Sequence, residues 1–223
     1  MKISNDEFFR VSVHEAGHFV FAKIMGLDAI EMALREGPPG IWSGHVKRRL
    51  SRLESLLDAE REGRSPETVR ERWQMPPAEF AMIQEKMRRA RSGLIEKFIA
   101  QILAGPAADS ELGGGNATMG ENDYMQAKAF ALGLVPDDQV AHVMTRVMDN
   151  ARKMAAGALR EPILEAAKRL REKRHFDESE LNALWSEIAP HPVCQTPDHQ
   201  EIERVSSGWG TMTPGSPMPR PTC

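Results

Sequence analysis

The stretch from Phe8 to Met25 constrains the fold more than any other part of this sequence. As a helix, it would be apolar around most of its circumference, which is typical of a central, buried helix. Ser4 and Glu7 form a capping-box pattern before it, and Gly26 follows it as a C-terminal stop. The sequence therefore predicts a first helix that ends near Met25 and lies in the core of the protein.

This predicted helix carries the pentapeptide His14-Glu15-Ala16-Gly17-His18. Its two histidines are four residues apart, so a helix places both side chains on one face, one turn apart. Two neutral imidazoles in this arrangement can bind one metal ion, and Glu15 can take a proton from a water that the ion activates. The alternative is a buried helix whose histidines only satisfy hydrogen bonds. The complete pattern on a strongly helical stretch favours the zinc site of a hydrolase.

Two histidines do not complete a catalytic zinc site, which usually has three protein ligands and one open position. Spacing alone leaves several candidates for the third ligand: His45, Asp109, Glu111, Glu121, Asp123 and His142. Asp123 precedes a predicted helix, Tyr124 to Leu134, and an aspartate at a helix start is most often only a cap. The residues by themselves therefore do not choose among these candidates.

Apolar spacing predicts a mainly α fold with a small β-hairpin or sheet beside the helix of the two histidines. Residues 29–34 alternate between apolar and other side chains, and residues 41–46 are predicted to return as a second strand after a Gly-Pro turn. An exposed strand edge there would suit an extended peptide, although the strands could equally serve only to cover the helix. The remaining elements are helices, predicted within 51–62, from 65, from 79 to 102, within 140–156, from 162 and after Asp177.

Charge and composition limit the partners and the location of the protein. The net charge is −3 with both signs interspersed, a pattern without the basic footprint of a polyanion-binding protein, so we expect no nucleic-acid partner. The sequence contains neither an apolar run long enough to span a bilayer nor a signal region, so we expect a cytoplasmic protein without a membrane partner. Seven of the fifteen prolines lie in 190–223, which predicts a disordered tail after a domain of residues 1–189.

Further motifs follow the histidine pentapeptide in the sequence. They are Leu103-Ala104-Gly105-Pro106-Ala107-Ala108-Asp109 and a Gly-rich stretch that ends in Gly120-Glu121-Asn122-Asp123. In this order they resemble the peptidase domain of the FtsH (M41) family, which has HEAGH, then LAGRAAEE, then TTGASND before a helix. The resemblance covers about residues 6–188. It implies a helical metallopeptidase domain in which His14, His18 and Asp123 bind Zn²⁺ and Glu15 is the catalytic glutamate.

The sequence departs from this family at several points. Pro106 replaces the arginine of LAGRAAEE and predicts a kink or a new helix. The sequence contains no phosphate loop of the pattern G-x-x-x-x-G-K-[ST], so the ATP-driven unfolding of the family is not expected. The family's hexamer depends largely on the missing parts, which leaves the oligomeric state open.

The sequence thus predicts a zinc-dependent, ATP-independent endopeptidase that acts on peptides or unfolded proteins. A separate ATPase or adaptor could deliver its substrates. Two alternatives remain from the sequence alone. One is a peptide-binding or regulatory metal-binding module without turnover, and the other is a structural domain whose histidines pack in the core.

Overall fold

The computed structural model of the protein describes residues 4–114, 120–133 and 136–190. These residues form a mainly helical fold with a small antiparallel sheet, which confirms the predicted fold class. The elements are α1 (Ser4–Ile24), β1 (Asp28–Glu36), β2 (Trp42–Arg49), α2 (Arg52–Arg61), α3 (Pro66–Arg72), α4 (Pro77–Ala108), a π-helical turn (Asp109–Gly113), α5 (Glu121–Leu132), α6 (Asp137–Ala156), α7 (Arg160–Lys173), β3 (His175–Asp177) and α8 (Glu178–Ile188).

Helix α1 is the centre of the core, as its apolar circumference predicts. It packs between α4, α7 and the sheet, and side chains on different faces of it, among them Val13, Phe19 and Phe21, are fully buried. Each large apolar side chain buried in this way stabilises the fold by about 1.5–3 kcal/mol. The helix ends at Ile24, and Gly26 follows with a φ of 68°, a left-handed conformation that glycine adopts readily. Side chains on this helix are therefore held rigidly.

The sheet has the strand order β2-β1-β3, and both pairings are antiparallel. The two predicted strands form its first hairpin, in which Leu34 lies opposite Gly44 and Ala33 lies opposite His45. Nothing in the sequence predicts β3, because three residues are too few to show an alternating pattern. Strand β2 pairs with β1 on one side and, among the described residues, with no strand on the other. The sheet therefore presents β2 as an edge strand beside α1.

Helices α1 and α4 approach each other unusually closely at Gly17. A Cβ atom on Gly17 would lie 2.6 Å from the carbonyl oxygen of Ala104 and 2.7 Å from the Cβ of Ala108. Small residues on both helices thus allow this close approach. The new helix predicted as one possibility at Pro106 does not form, since α4 continues through this residue to Ala108 before the π-helical turn begins. Packing of the small residues on either side of Pro106 against α1 supports the helical backbone there.

Among the helices that the structure describes, none is both long and apolar enough to cross a bilayer. The predicted disordered tail, residues 190–223, lies outside the described residues except for Pro190.

Candidate metal centre

Helices α1 and α5 bring the three predicted metal ligands together. The Nε2 atoms of His14 and His18 are 3.1 Å apart. The Oδ2 atom of Asp123 lies 3.0 Å from Nε2 of His14 and 3.5 Å from Nε2 of His18. Donor atoms bound 2.0–2.1 Å from a tetrahedral zinc ion are about 3.3 Å from one another. The two imidazole nitrogens and the carboxylate oxygen therefore lie close enough together to hold one metal ion.

A backbone contact fixes the orientation of one imidazole. The Nδ1 atom of His18 donates a hydrogen bond to the carbonyl oxygen of Gln101 on α4, at 2.8 Å. Because Nδ1 carries the proton in this arrangement, the lone pair of Nε2 points toward His14 and Asp123. The Nδ1 atom of His14 is buried and has no hydrogen-bond partner within the described part of the chain. The Nε2 side of both rings is thus the side available to a metal ion.

The three ligand side chains favour a positive charge between them. Burial lowers the pKa of His18, but the hydrogen bond with Asp123 and the nearby carboxylate charge of Glu15 outweigh this and raise it above its ordinary value. Burial raises the pKa of Asp123, but its contacts with His14 and His18 outweigh this and hold it well below its ordinary value. Asp123 is therefore ionised, as a metal ligand must be.

Gly105 of α4 forms one wall of the ligand cluster. A Cβ atom at this position would lie 2.7 Å from Nε2 of His14 and would clash with Nε2 of His18. Sequence reasoning did not assign this glycine to the site. The sequence shows only a run of small residues around Gly105, which indicates close helix packing. It does not indicate that Gly105 packs against two imidazole rings. Only a residue without a side chain leaves the donor atoms free at this position.

Glu15 lies beside the cluster and is only 6% exposed. Burial raises the pKa of its carboxyl group, while the nearby histidines oppose this shift. Strand β2 passes directly over it, since a Cβ atom on Gly44 would be 2.8 Å from both Cδ and Oε1 of Glu15. The carboxyl group is thus confined between α1 and β2, with the two histidines next to it.

The structure does not bring the other five ligand candidates into the cluster. His45 is held by Glu31, with 2.7 Å between its Nε2 and Oε1, and Asp109 is held by Arg10. The five candidates are His45, Asp109, Glu111, Glu121 and His142, and among the described residues only His14, His18 and Asp123 form a group of potential ligand atoms within 4.8 Å of one another. The ligand set that the resemblance implies is therefore the set that the fold assembles.

The cluster lies in an open cleft of about 1110 Å³. The edge strand β2 contributes one wall, including Gly44 and Val46, and α5 contributes another, including Met125 and Phe130. Between these walls, the ligand atoms and Glu15 are accessible from the cleft. A cleft of this size has room for several residues of a polypeptide.

No known protein-family model matches this chain, and no curated protein matches it. The resemblance to the FtsH peptidases therefore stays a prediction.

Proposed function

We propose that this protein is a zinc-dependent endopeptidase of the FtsH (M41) type, which hydrolyses peptide bonds without using ATP. The observation that carries the proposal is the convergence of His14, His18 and Asp123 in a cleft, with the buried carboxyl group of Glu15 beside them. Zinc hydrolases combine two imidazoles, one carboxylate and an adjacent glutamate in this way.

In this proposal, His14, His18 and Asp123 would hold the zinc ion. The bound ion would lower the pKa of a water molecule and polarise the carbonyl group of the peptide bond. Glu15 would accept the proton from the attacking water and later return it to the nitrogen of the leaving amine. The raised pKa of Glu15 in the metal-free protein suits the role of a base, because a carboxylate with a higher pKa accepts a proton more readily.

The edge of β2 supports the choice of a peptide as substrate. An extended polypeptide can add to a free strand edge through backbone hydrogen bonds, without requiring a particular sequence. Gly44 and Val46 of this strand line the same cleft as the ligand atoms. A peptide bound along β2 would pass over Glu15, where the backbone at Gly44 approaches that carboxyl group. Such binding favours unfolded segments, since a folded substrate rarely offers an extended backbone.

The metal content of the purified protein tests this proposal most directly. We expect about one zinc ion per chain in the wild type, as in a mononuclear site. Asp123→Ala should weaken zinc binding by more than the roughly 10–100-fold that loss of an outer-shell partner costs, because it removes a donor atom. Elemental analysis and a chelator competition assay measure both quantities.

Glu121→Ala is the matched control for this experiment. Glu121 is an exposed acidic residue in the same turn of α5, and its replacement should leave zinc binding unchanged. Full zinc retention in Asp123→Ala would mean that another donor completes the site. A wild-type protein that binds no zinc would overturn the hydrolase proposal as a whole.

Gly44→Ala should separate catalysis from metal binding. The added methyl group would displace the carboxyl group of Glu15 while leaving the three ligand atoms untouched. A displacement of about 1 Å can cost about 100-fold in rate, so we expect a loss of that order in the cleavage of an unfolded protein at full zinc content. Gly37→Ala in the same hairpin is the control, because its Cβ would meet, among the described residues, only the carbonyl oxygen of Ile41 at 3.7 Å. Equal rates in the two variants would contradict the role given to Gly44.

A further inference from the structure

Arg10 and Asp109 form a bidentate ion pair between α1 and the turn that follows α4. The Nε atom of Arg10 lies 3.2 Å from Oδ1 of Asp109, and Nη2 lies 3.0 Å from Oδ2. The side chain of Asp109 is only 3% exposed. A carboxylate buried to this extent is tolerated only when it is paired with good geometry. The ion pair is therefore a fixed link between the two segments.

The turn after α4 is shaped around this carboxylate. Asp109 opens the π-helical turn, and a Cβ atom on Gly113, at the end of that turn, would clash with Oδ1 of Asp109. Gly114 then adopts a φ of 69°, which glycine does at little cost. The chain leaves α4 at this turn and later enters α5, which carries Asp123. Asp109 thus anchors the point from which the chain proceeds to the third metal ligand.

The ion pair also lies on the helix faces that carry the candidate metal centre. Residues four apart share one face of a helix. Arg10 precedes His14 by four residues on α1, and Asp109 follows Gly105 by four residues on the opposing segment. The contact between Arg10 and Asp109 therefore lies one turn away from the contact between His14 and Gly105.

A second contact joins α1 to α4 at His18, two helical turns after Arg10. His18 donates its Nδ1 hydrogen bond to the carbonyl oxygen of Gln101. Together with the Arg10–Asp109 pair, this bond fixes α1 against α4 at two points that are eight residues, or about 12 Å, apart along α1. Gly105 lies between these two points, at a position where any side-chain atom would clash with the imidazoles. A small slide of one helix along the other would push the donor atoms out of place.

We propose that Arg10 and Asp109 are positioning residues of the metal centre. They hold the register between α1 and α4 at which both imidazoles fit beside Gly105, and they anchor the turn that leads toward Asp123. This inference rests on the proposed function, because it assumes that the three ligands bind zinc.

The zinc dissociation constant of the full chain, measured by competition with a chromophoric chelator at pH 7, tests this role. Asp109→Asn keeps the size of the side chain but removes the charge. It should weaken zinc binding by about 10-fold, the lower end of the loss for groups that contact a ligand directly, because Asp109 acts through the position of α1 against α4. Arg10→Lys keeps the positive charge but loses the bidentate contact with Asp109, so it should weaken zinc binding by less than Asp109→Asn does. Circular dichroism of each metal-free variant establishes that it is folded.

Glu96→Gln is the matched control. Glu96 is also on α4, its side chain is 9% exposed, and its Oε1 atom lies 3.1 Å from Nη2 of Arg146 on α6. Its replacement should leave the zinc dissociation constant unchanged, because it alters the contact of α4 with α6 and not the contact of α4 with α1. A purely structural role of Asp109 would give the same result for Asp109→Asn.

The possible results are distinguishable. Unchanged zinc binding in Asp109→Asn, or equal weakening in Asp109→Asn and Glu96→Gln, would overturn the positioning role while leaving the proposed function intact. If Asp109→Asn does not fold, the zinc affinity of Arg10→Lys tests the positioning role instead. Weaker zinc binding in Arg10→Lys would support the positioning role, and wild-type zinc binding would overturn it. A wild-type protein without zinc affinity would overturn the proposed function, and the positioning role with it.

Discussion

Replacement of Glu15 by glutamine is expected to abolish peptide hydrolysis while the zinc content stays at the wild-type level. A glutamine amide can neither accept the proton of the attacking water nor return it to the leaving amine. General acid–base catalysis of this kind contributes about 10²–10⁴-fold to a rate, so the variant should lose at least this factor. None of the three clustered ligand atoms belongs to Glu15, so metal binding should persist.

The same substitution should not weaken the fold. Burial raises the pKa of Glu15, which means that the folded protein holds the ionised carboxyl group at a cost near neutral pH. This cost is largest above the raised pKa and disappears below the ordinary pKa, where the group is protonated in both the folded and the unfolded chain. Glutamine has the same shape without the charge, so the thermal midpoint of the metal-free variant at pH 7 should be equal to or higher than that of the wild type.

Cleavage of an unfolded protein, followed with equal amounts of zinc-loaded wild type and variant, measures the effect. Glu121→Gln is the control, since Glu121 lines the same cleft but lies on α5 and is exposed. Wild-type activity in Glu15→Gln would show that the general-base role is wrong. A wild-type protein that binds zinc and peptide without cleaving the peptide would favour a binding module instead.

Gly105→Ala is expected to eliminate zinc binding although it changes no ligand. The new methyl group would lie 2.7 Å from Nε2 of His14 and closer still to His18, in the space on which the donor atoms converge. The imidazoles would have to rotate away, or α1 and α4 would have to separate. Overpacking of this kind costs about 1–3 kcal/mol, so the free energy of unfolding of the metal-free protein should fall by that amount. Zinc titration and chemical denaturation measure the two effects separately.

Gly93→Ala provides the control on the same helix. A Cβ atom at Gly93 would meet nothing within 4 Å among the described residues, and alanine is favoured over glycine inside a helix by about 1 kcal/mol. This variant should therefore be more stable than the wild type and should bind zinc normally. Wild-type zinc affinity in Gly105→Ala would contradict the arrangement of the two imidazoles against α4.

Much of the fold follows from interactions between near neighbours in the sequence. The apolar circumference of α1 predicts its burial, and Ser65 accepts a hydrogen bond from the backbone of Glu67 at the predicted start of α3. Asp177 and Glu180 likewise form a capping box at the predicted start of α8. These interactions span no more than four residues, so a helical period or a cap pattern reveals them. Strand β3 is too short to leave such a pattern.

The candidate site likewise has a part that follows from local sequence and a part that depends on tertiary packing. The sequence by itself determined that His14 and His18 share one face of a buried helix, with Glu15 beside them, because helix geometry is local. Spacing did not choose among the candidates for a third ligand, and only the resemblance pointed to Asp123, which lies more than a hundred residues further along the chain.

The tertiary structure alone decided which distant residues surround the two histidines. It brought Asp123 to 3.0 Å from His14, set Gly105 against both imidazoles and laid Gly44 over Glu15. The physical reason is that these contacts depend on how α1 packs against α4, α5 and β2. The distance between residues on separate elements is set by the packing of whole elements, which no local periodicity encodes.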